Sequence, residues 1–355
     1  MDPFFATLGQ SVLSRWKACN FDPAAFPGIA RALLEERPPS EHVDVSELLR
    51  EFLLNDAQPP QSQSGFGQPE LVVFEDPRFY IQLLFWLDGS TDIHQHEFSG
   101  AFHVLEGSSI HSRFEFADAQ SVSARLRLGN LRMVGTELLE TGRTVEIHSG
   151  RGFIHALFHL ETPSITVVVR TQSDPGTGPQ FTYLPPHFAV DPFFHDTLTN
   201  RRKQLLDVLE AVEDPGYAQI VAEMLGELDF ERGFFILQNC VVALRSSGEW
   251  EAVWEVFARR HGAKADLAAL TFEEILRRDA LVALRCTVTE VEHRFFLALL
   301  LNVPETGQIL KLVAERFPGP AEVTVGRWVR EMSEAGVEDS GLVALALRGA
   351  GLADF

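Results

Sequence analysis

The sequence predicts an α+β chain, with a closed or sandwiched unit of short strands between a short helical segment and a long helical half. Two observations carry this. From about Glu70 to Tyr183, short apolar runs are bounded by Gly, Asp or Pro and rich in β-branched and aromatic residues, the pattern of an all-β sandwich or barrel. On either side, apolar residues recur at the three-and-four spacing of helices that bury one face. At 355 residues the chain exceeds one average domain. The expected division is residues 1–65 as an N-terminal helical segment, 66–190 as the β unit, and 191–355 as an all-helical C-terminal domain.

The elements follow in order. "FPGIARALLEERPPS" and "DVSELLREFLLND" read as helices, the second with Asp44 or Ser46 as its cap. "AQPPQSQSGFGQPE" breaks the pattern with Pro, Gln, Ser and Gly and reads as a loop. "LVVFED", "RFYIQLLFWLDG", "GAFHVLEG", "HSRFEFA", "ARLRLGNLRMV", "TVEIHSG" and "SITVVVRTQ" then read as strands. Beyond "LPPHFAVDPFFHD" eight segments carry helical periodicity, punctuated by Pro304 and Pro318. None of them holds a metal-ligand or nucleophile pattern, so the helical half reads as a structural, homodimerising or partner-docking unit.

Bulk properties exclude some function classes. A formal charge of −20 repels phosphate backbones and anionic membranes, so neither nucleic acid nor a membrane is an expected partner. Cys19, Cys240 and Cys286 are odd in number, far apart and form no CxxC, which fits a reducing compartment rather than a disulfide framework. The opening "MDPFFATLGQSVLSRWK" lacks the basic and apolar regions of a secretory signal. The longest apolar run, "FFLALLLNV", is too short to span a bilayer. Cytoplasm is the expected location.

Chemistry concentrates in the histidines. Nine of the twelve lie between His94 and His195, where uniform scatter would place about three or four. In "DIHQHEF", His94 and His96 are two apart on a strand and so project from one face. "RGFIHALFH" delivers His155, with His159 four residues on. In a β-barrel, inward residues of different strands converge, so His155 is expected to meet the His94/His96 pair. Three imidazoles with open positions suit Fe(II), Zn(II), Ni(II), Mn(II) or Cu(II). A closed structural zinc site would want a fourth ligand, usually Cys, and none is nearby. His103, His111 and His148 read as ordinary polar residues of a β unit.

These residues resemble the two motifs of the cupin superfamily over roughly residues 70 to 186. The first motif appears as Asp88 or Gly89, then His94, His96, Gly100 in the position usually held by Glu, and Gly107. The second appears as Gly150, Gly152, His155 and His159, with the usual proline and asparagine replaced. The resemblance implies a cupin β-barrel (a double-stranded β-helix or jelly roll) with a metal held by His94, His96 and His155. Because Gly100 cannot ligate, the set resembles that of the cysteine dioxygenase-like thiol dioxygenases, which hold Fe(II) on three histidines. Gly100 also stands where some of those enzymes crosslink a cysteine to a tyrosine, so that crosslink is impossible here. Their Ser-His-Tyr set falls on Thr166, Val168 and Arg170, and their carboxylate-binding arginine has no counterpart. The resemblance therefore implies the metal chemistry, with a substrate of its own.

Roles follow for the remaining residues. His159 is expected on the face of His155, as a fourth ligand, a general base, a substrate donor or a packed core residue. On "RFYIQLLFW", Tyr80, Gln82, Leu84 and Trp86 share one face, and Tyr80 and Gln82 are the candidate substrate contacts on it. Arg170, if inward, is a fixed cation suited to a carboxylate. The leading reading is an Fe(II)-dependent oxygenase acting on a small anionic molecule, one that offers the metal a thiolate or enolate. The others are a non-redox cupin using Zn, Mn or Ni, and a ligand sensor whose helical half docks a partner.

Overall fold

The computed structural model describes residues 3–61, 66–87, 89, 92–193, 196–334 and 351; Asp88 and His195 lie outside this set. The chain is α+β. Helices α1 (Pro3–Ala18), α2 (Phe26–Glu36), α3 (Pro39–His42) and α4 (Val45–Leu54) precede eleven strands. Asp44 caps α4 by accepting from the Glu47 amide at 2.9 Å. The strands are β1 (Glu70–Asp76), β2 (Phe79–Trp86), β3 (Ile93–His96), β4 (Gly100–Glu106), β5 (Ser108–Ser121), β6 (Leu126–Glu140), β7 (Thr144–Ile147), β8 (Gly150–His159), β9 (Ser164–Thr171), β10 (Thr182–Leu184) and β11 (Phe188–Val190). One sheet runs β1-β2-β9-β4-β7, and the second ladder, β10-β11-β6-β5-β8-β3, is a closed antiparallel barrel. Helices α5 (Thr197–Ala211), α6 (Tyr217–Glu227), α7 (Phe230–Ser247), α8 (Trp250–His261), α9 (Ala263–Thr287), α10 (Val291–Asn302), α11 (Thr306–Arg316) and α12 (Ala321–Glu334) follow.

The chain forms two compact units that cut across its linear order. The first comprises residues 1–115, 133–180 and 280–355, and the second 116–132 and 181–279. In the first, strict alternation on β2 and β9 divides two cores. Phe79, Ile81, Leu83 and Phe85 with Ile165, Val167 and Val169 pack against Phe5, Val12, Trp16, Phe26 and Leu34 of α1 and α2. The opposite faces of the same strands contribute Leu84, Trp86 and Val168 to an inner core with Phe98, Phe102, Val104, Ile147, Phe153 and Leu157. A one-residue slip would exchange the two sets, so burial on both faces fixes the register.

Helices α10 to α12 also belong to this unit. The apolar run on α10 is core: Phe295 through Leu301 are all buried and pack with Ile110, Phe158 and Trp328. Trp328 Nε1 donates to Glu292 at 2.6 Å, and Arg316 donates to Ser108 Oγ at 3.0 Å and Glu161 at 2.9 Å. Among the described residues no helix is long and apolar enough to cross a membrane. In the second unit α5 to α8 and the start of α9 gather around Leu126, Leu128, Phe188 and Val190, with Phe188 stacked on Phe234 at 4.4 Å. Strands β10 and β11 fall within the stretch "LPPHFAVDPFFHD" and its approach, where the sequence shows only a break in pattern.

His103 lies on β4 and faces α3. It is fully buried, with Nδ1 2.8 Å from Thr144 Oγ1 and Nε2 3.0 Å from Ser40 Oγ. Burial pushes its pKa from 6.5 down to about 4. Between these values the unfolded chain holds the extra proton and the folded chain does not, so stability falls as pH drops from about 6.5 toward 4. Urea unfolding midpoints should decline across that window, and His103→Gln should decline less steeply than the parent. Identical slopes would contradict this assignment.

Candidate metal centre

Strand β3 supplies His94 and His96, and β8 supplies His155 directly opposite His94. A register shift between His94 and His96 lets both meet the β8 ring. The ring centroids lie 4.6, 4.8 and 5.0 Å apart, and one nitrogen from each ring falls within 4.8 Å of the others. All three side chains are buried. Burial drives their pKa values down, well down for His96 and His155, so the rings are neutral, the form that ligates a metal.

The hydrogen bonds aim the ring nitrogens. His94 Nδ1 donates to the Asp92 carbonyl at 2.7 Å, which leaves its Nε2 as a buried acceptor with no partner. His96 Nε2 and His155 Nε2 stand 2.9 Å apart. Two nitrogens each about 2.0–2.1 Å from one ion and at a right angle stand about 2.9 Å apart, so this spacing fits joint ligation. The orphaned His94 Nε2 and the hard-to-solvate trio make the same case: the donor set fits a divalent transition metal with open positions.

A further histidine, not expected from the sequence, completes the arrangement. His111 on β5 is fully buried, with Nε2 3.2 Å from His155 Nδ1 and Nδ1 3.1 Å from Glu137 Oε1 on β6. The ionised carboxylate only accepts, so His111 donates from Nδ1 and accepts at Nε2. His155 then donates from Nδ1 and keeps its Nε2 lone pair for a metal. The His111 hydrogen bond also holds the Glu137 carboxyl below its usual range. The reading of His111 as an ordinary polar residue is thus corrected: it orients a member of the trio. In the sequence this depends on the β5–β8 register, which "HSRFEF" alone does not reveal. His103, in contrast, faces α3, and His148 is exposed against Glu146.

The trio lies in the wall of a small cavity of about 30 Å³, lined otherwise by Phe66, Gln82, Leu84, Trp86, Phe98, Phe102, Ile147, Leu157, Thr166 and Val168. Gln82 is buried in this wall and its Oε1 has no hydrogen-bond partner. Trp86 Nε1 donates to Thr166 Oγ1 at 3.3 Å. Of the other expected site residues, three stand outside the lining. Tyr80 is half-buried beside Arg170. Arg170 shares the face of Thr166 and Val168 but stacks its guanidinium on Phe98, 3.3 Å from the ring centre, and donates to the carbonyls of Thr171 and Gln172. Burial pushes its pKa down to about 10, which still leaves it charged at neutral pH. His159 stacks on Trp86 at 4.6 Å, pairs Nδ1 with Ser109 Oγ at 2.9 Å, and is pushed down to about 3 by burial. It is not part of the nitrogen cluster.

Gly100 shows why no fourth ligand accompanies the trio. A Cβ there would sit 2.0 Å from the Val169 carbonyl oxygen and 2.9 Å from the Arg170 Cα. The β4–β9 pairing therefore demands glycine, and a carboxylate at this position has no room.

No family model and no curated protein matches the chain. Solved structures do. The chain is similar to hydroquinone 1,2-dioxygenase from Sphingomonas sp. TTNP3 bound to 4-hydroxybenzoate, at 10% identity over 30% of this chain and 68% of that one, with a TM-score of 0.24. It is also similar to a cupin-2 domain containing protein from Shewanella frigidimarina, at 16% identity over 38% and 97%, TM-score 0.22. An RmlC-like cupin from the same organism matches at 12% identity over 34% and 95%, TM-score 0.23.

Two outcomes test the site. His111→Ala should weaken metal binding by roughly ten- to a hundredfold without unfolding the chain, because the second partner of a ligand imidazole typically contributes that much; chelator competition measures it, and an unchanged affinity contradicts the hydrogen-bond chain. Gly100→Ala should lower stability by on the order of 3 kcal/mol, since the added carbon strikes backbone that cannot yield; thermal unfolding measures it, and a neutral result contradicts the close approach.

Proposed function

We propose that this chain is an Fe(II)-dependent cupin oxygenase that acts on a small molecule held in the barrel cavity. The observation that carries the reading is the convergence of three neutral, buried imidazoles on one wall of an apolar cavity, with no carboxylate or thiolate among them. Such a set suits Fe(II), Zn(II), Mn(II) or Ni(II), and iron is the member that supplies electrons to dioxygen. Three neutral ligands leave the ion's double charge uncompensated, which favours a substrate donor atom that is anionic or readily deprotonated, such as a hydroxyl or thiol.

The chain's own residues do the rest. His94, His96 and His155 would hold the ion. The Asp92 carbonyl and the His111–Glu137 pair fix the tautomers of His94 and His155, so each ring keeps a lone pair turned inward. Phe66, Trp86, Phe98, Phe102, Leu157 and Val168 exclude water from the cavity. Gln82 offers a fixed acceptor for orienting the substrate. Arg170 supports Phe98, which in turn packs on His96 at 4.4 Å.

Anaerobic reconstitution with Fe(II), followed by oxygen-electrode measurement against a panel of small thiols and hydroxylated compounds, tests this function. Oxygen consumption should require both bound iron and an added compound, and His155→Ala should abolish it along with the bound metal. An iron-loaded chain that stays inert across the panel while retaining stoichiometric zinc tightly would move the protein to the non-redox class.

A further inference from the structure

We infer that helix α5 is a self-association surface: two copies of this chain pair their α5 helices antiparallel across a two-fold axis.

Helix α5 is apolar on two faces. One face serves its own unit, where Leu206 is buried with Val221, Leu225 and Phe234 and Leu209 packs at the edge of the same core. The other face is open. Leu198, Leu205, Val208 and the C-cap residue Val212 are 56%, 64%, 56% and 65% exposed. Together with Arg201 they repeat at three-four-three-four spacing, the seam of a two-helix coiled coil. At 1.5 Å per residue the seam runs about 21 Å. The neighbouring helix α7 lies alongside: Lys203 stands over the Phe235 ring at 5.3 Å, and Asn239 donates to Asp207 at 2.7 Å. On that same edge of α7, Val242 is 62% exposed and widens the stripe. No other helix among the described residues exposes three large apolar side chains. A stripe of this kind marks an interaction surface, whereas exposed apolar residues scattered singly do not.

Charge names the occupant. Arg201, Arg202 and Lys203 sit near the N-terminal end of α5, and Asp207, Glu210, Glu213 and Asp214 toward and just past its C-terminal end. Arg201 reaches only Gln204 of its own helix, at 2.7 Å, and no salt bridge among the described residues engages Arg201, Arg202, Glu210 or Glu213. A parallel pair of α5 helices would set basic end against basic end. A two-fold axis perpendicular to the helix runs the two copies antiparallel and sets basic against acidic, twice by symmetry. With Leu205 opposite Val208 of the second copy, Arg201 falls opposite Val212 of the second copy. Arg201 and Arg202 then lie within a turn of Glu210 and Glu213 of the second copy. The stripe is thus complementary to itself in shape, polarity and charge. An anionic membrane would accept the basic end and repel the acidic one. A single helix pair falls below the standard interface size, so the dimer is a weak one that dissociates on dilution.

Sedimentation equilibrium of the full chain, from low micromolar to several hundred micromolar, tests this. The parent should show a monomer–dimer equilibrium. Leu205→Glu should stay monomeric throughout while keeping the parent's circular dichroism and metal content. The double variants Arg201→Glu with Arg202→Glu, and Glu210→Lys with Glu213→Lys, should each weaken the dimer by roughly tenfold. The chain carrying all four substitutions should regain it, because reversing both ends restores opposite charges in the antiparallel pair. This charge series stands even if the Leu205→Glu chain misfolds. A parent that is monomeric at every concentration overturns the inference. So does association that survives Leu205→Glu in a folded chain, double variants that dimerise like the parent, or a fourfold variant no better than either double. Flotation of a monomeric parent with phosphatidylserine vesicles, lost in Leu205→Glu, would assign the stripe to a membrane instead.

Discussion

The structure turns on the burial of three imidazoles whose inward nitrogens face only one another: His96 Nε2 and His155 Nε2 stand 2.9 Å apart, and His94 Nε2 has no hydrogen-bond partner. Neutral histidine in an apolar wall must satisfy both ring nitrogens or lose the hydrogen bonds it had in water. His103 meets that demand with Ser40 and Thr144, and becomes a packing residue. His94 meets half of it and leaves Nε2 facing two other histidines. The same residue type thus has two fates: His103 finds a hydroxyl for each ring nitrogen, and His94 finds one carbonyl for one of its two. A metal ion would take the inward nitrogens of all three rings together.

The rest of the site follows from how strands bring residues together. His94 opposes His155 across one ladder, and His111 opposes Leu157 on the next, so the trio and its supporting histidine come from three neighbouring strands. Glu137, from a fourth strand, is partly exposed and takes the end of the chain. The hydrogen bonds therefore run from solvent to the metal position through two rings. At Gly100, β4 and β9 approach so closely that any side chain, a ligating carboxylate included, is excluded. The three-histidine cluster and the apolar wall beside it are built on the same strands.

Much of this was legible in the sequence. The spacing of His94 and His96 showed a shared face, and alternation along "RFYIQLLFW" separated the residues that meet the helices from those that meet the cavity. The resemblance to the cupin motifs, with Gly100 at the acidic position, implied a three-histidine set. What the sequence withheld was register between strands distant in the chain. That register makes His111 a partner of His155, and it is why Glu137 drew no notice. Arg170 illustrates a second limit. Its parity was readable, since it shares a face with Thr166 and Val168, but its capture by Phe98 depends on the β3–β4 turn. His159 likewise has the parity of His155, yet its ring lies against Trp86 rather than with the trio. The grouping of α10 to α12 with the barrel depends on contacts of Phe158 and Ile110 that no local pattern announces.

The central claim is that His94, His96 and His155 together hold one metal ion. X-ray absorption fine structure of the zinc-loaded chain tests it most directly, because zinc reports ligand type and distance without redox change. The account predicts three imidazole nitrogens at about 2.0–2.1 Å, light-atom scatterers completing the shell, and no sulfur. The imidazole count should fall in the His155→Ala chain if zinc binds there at all. A shell with a sulfur ligand, or with fewer than two imidazoles in the parent protein, would contradict it.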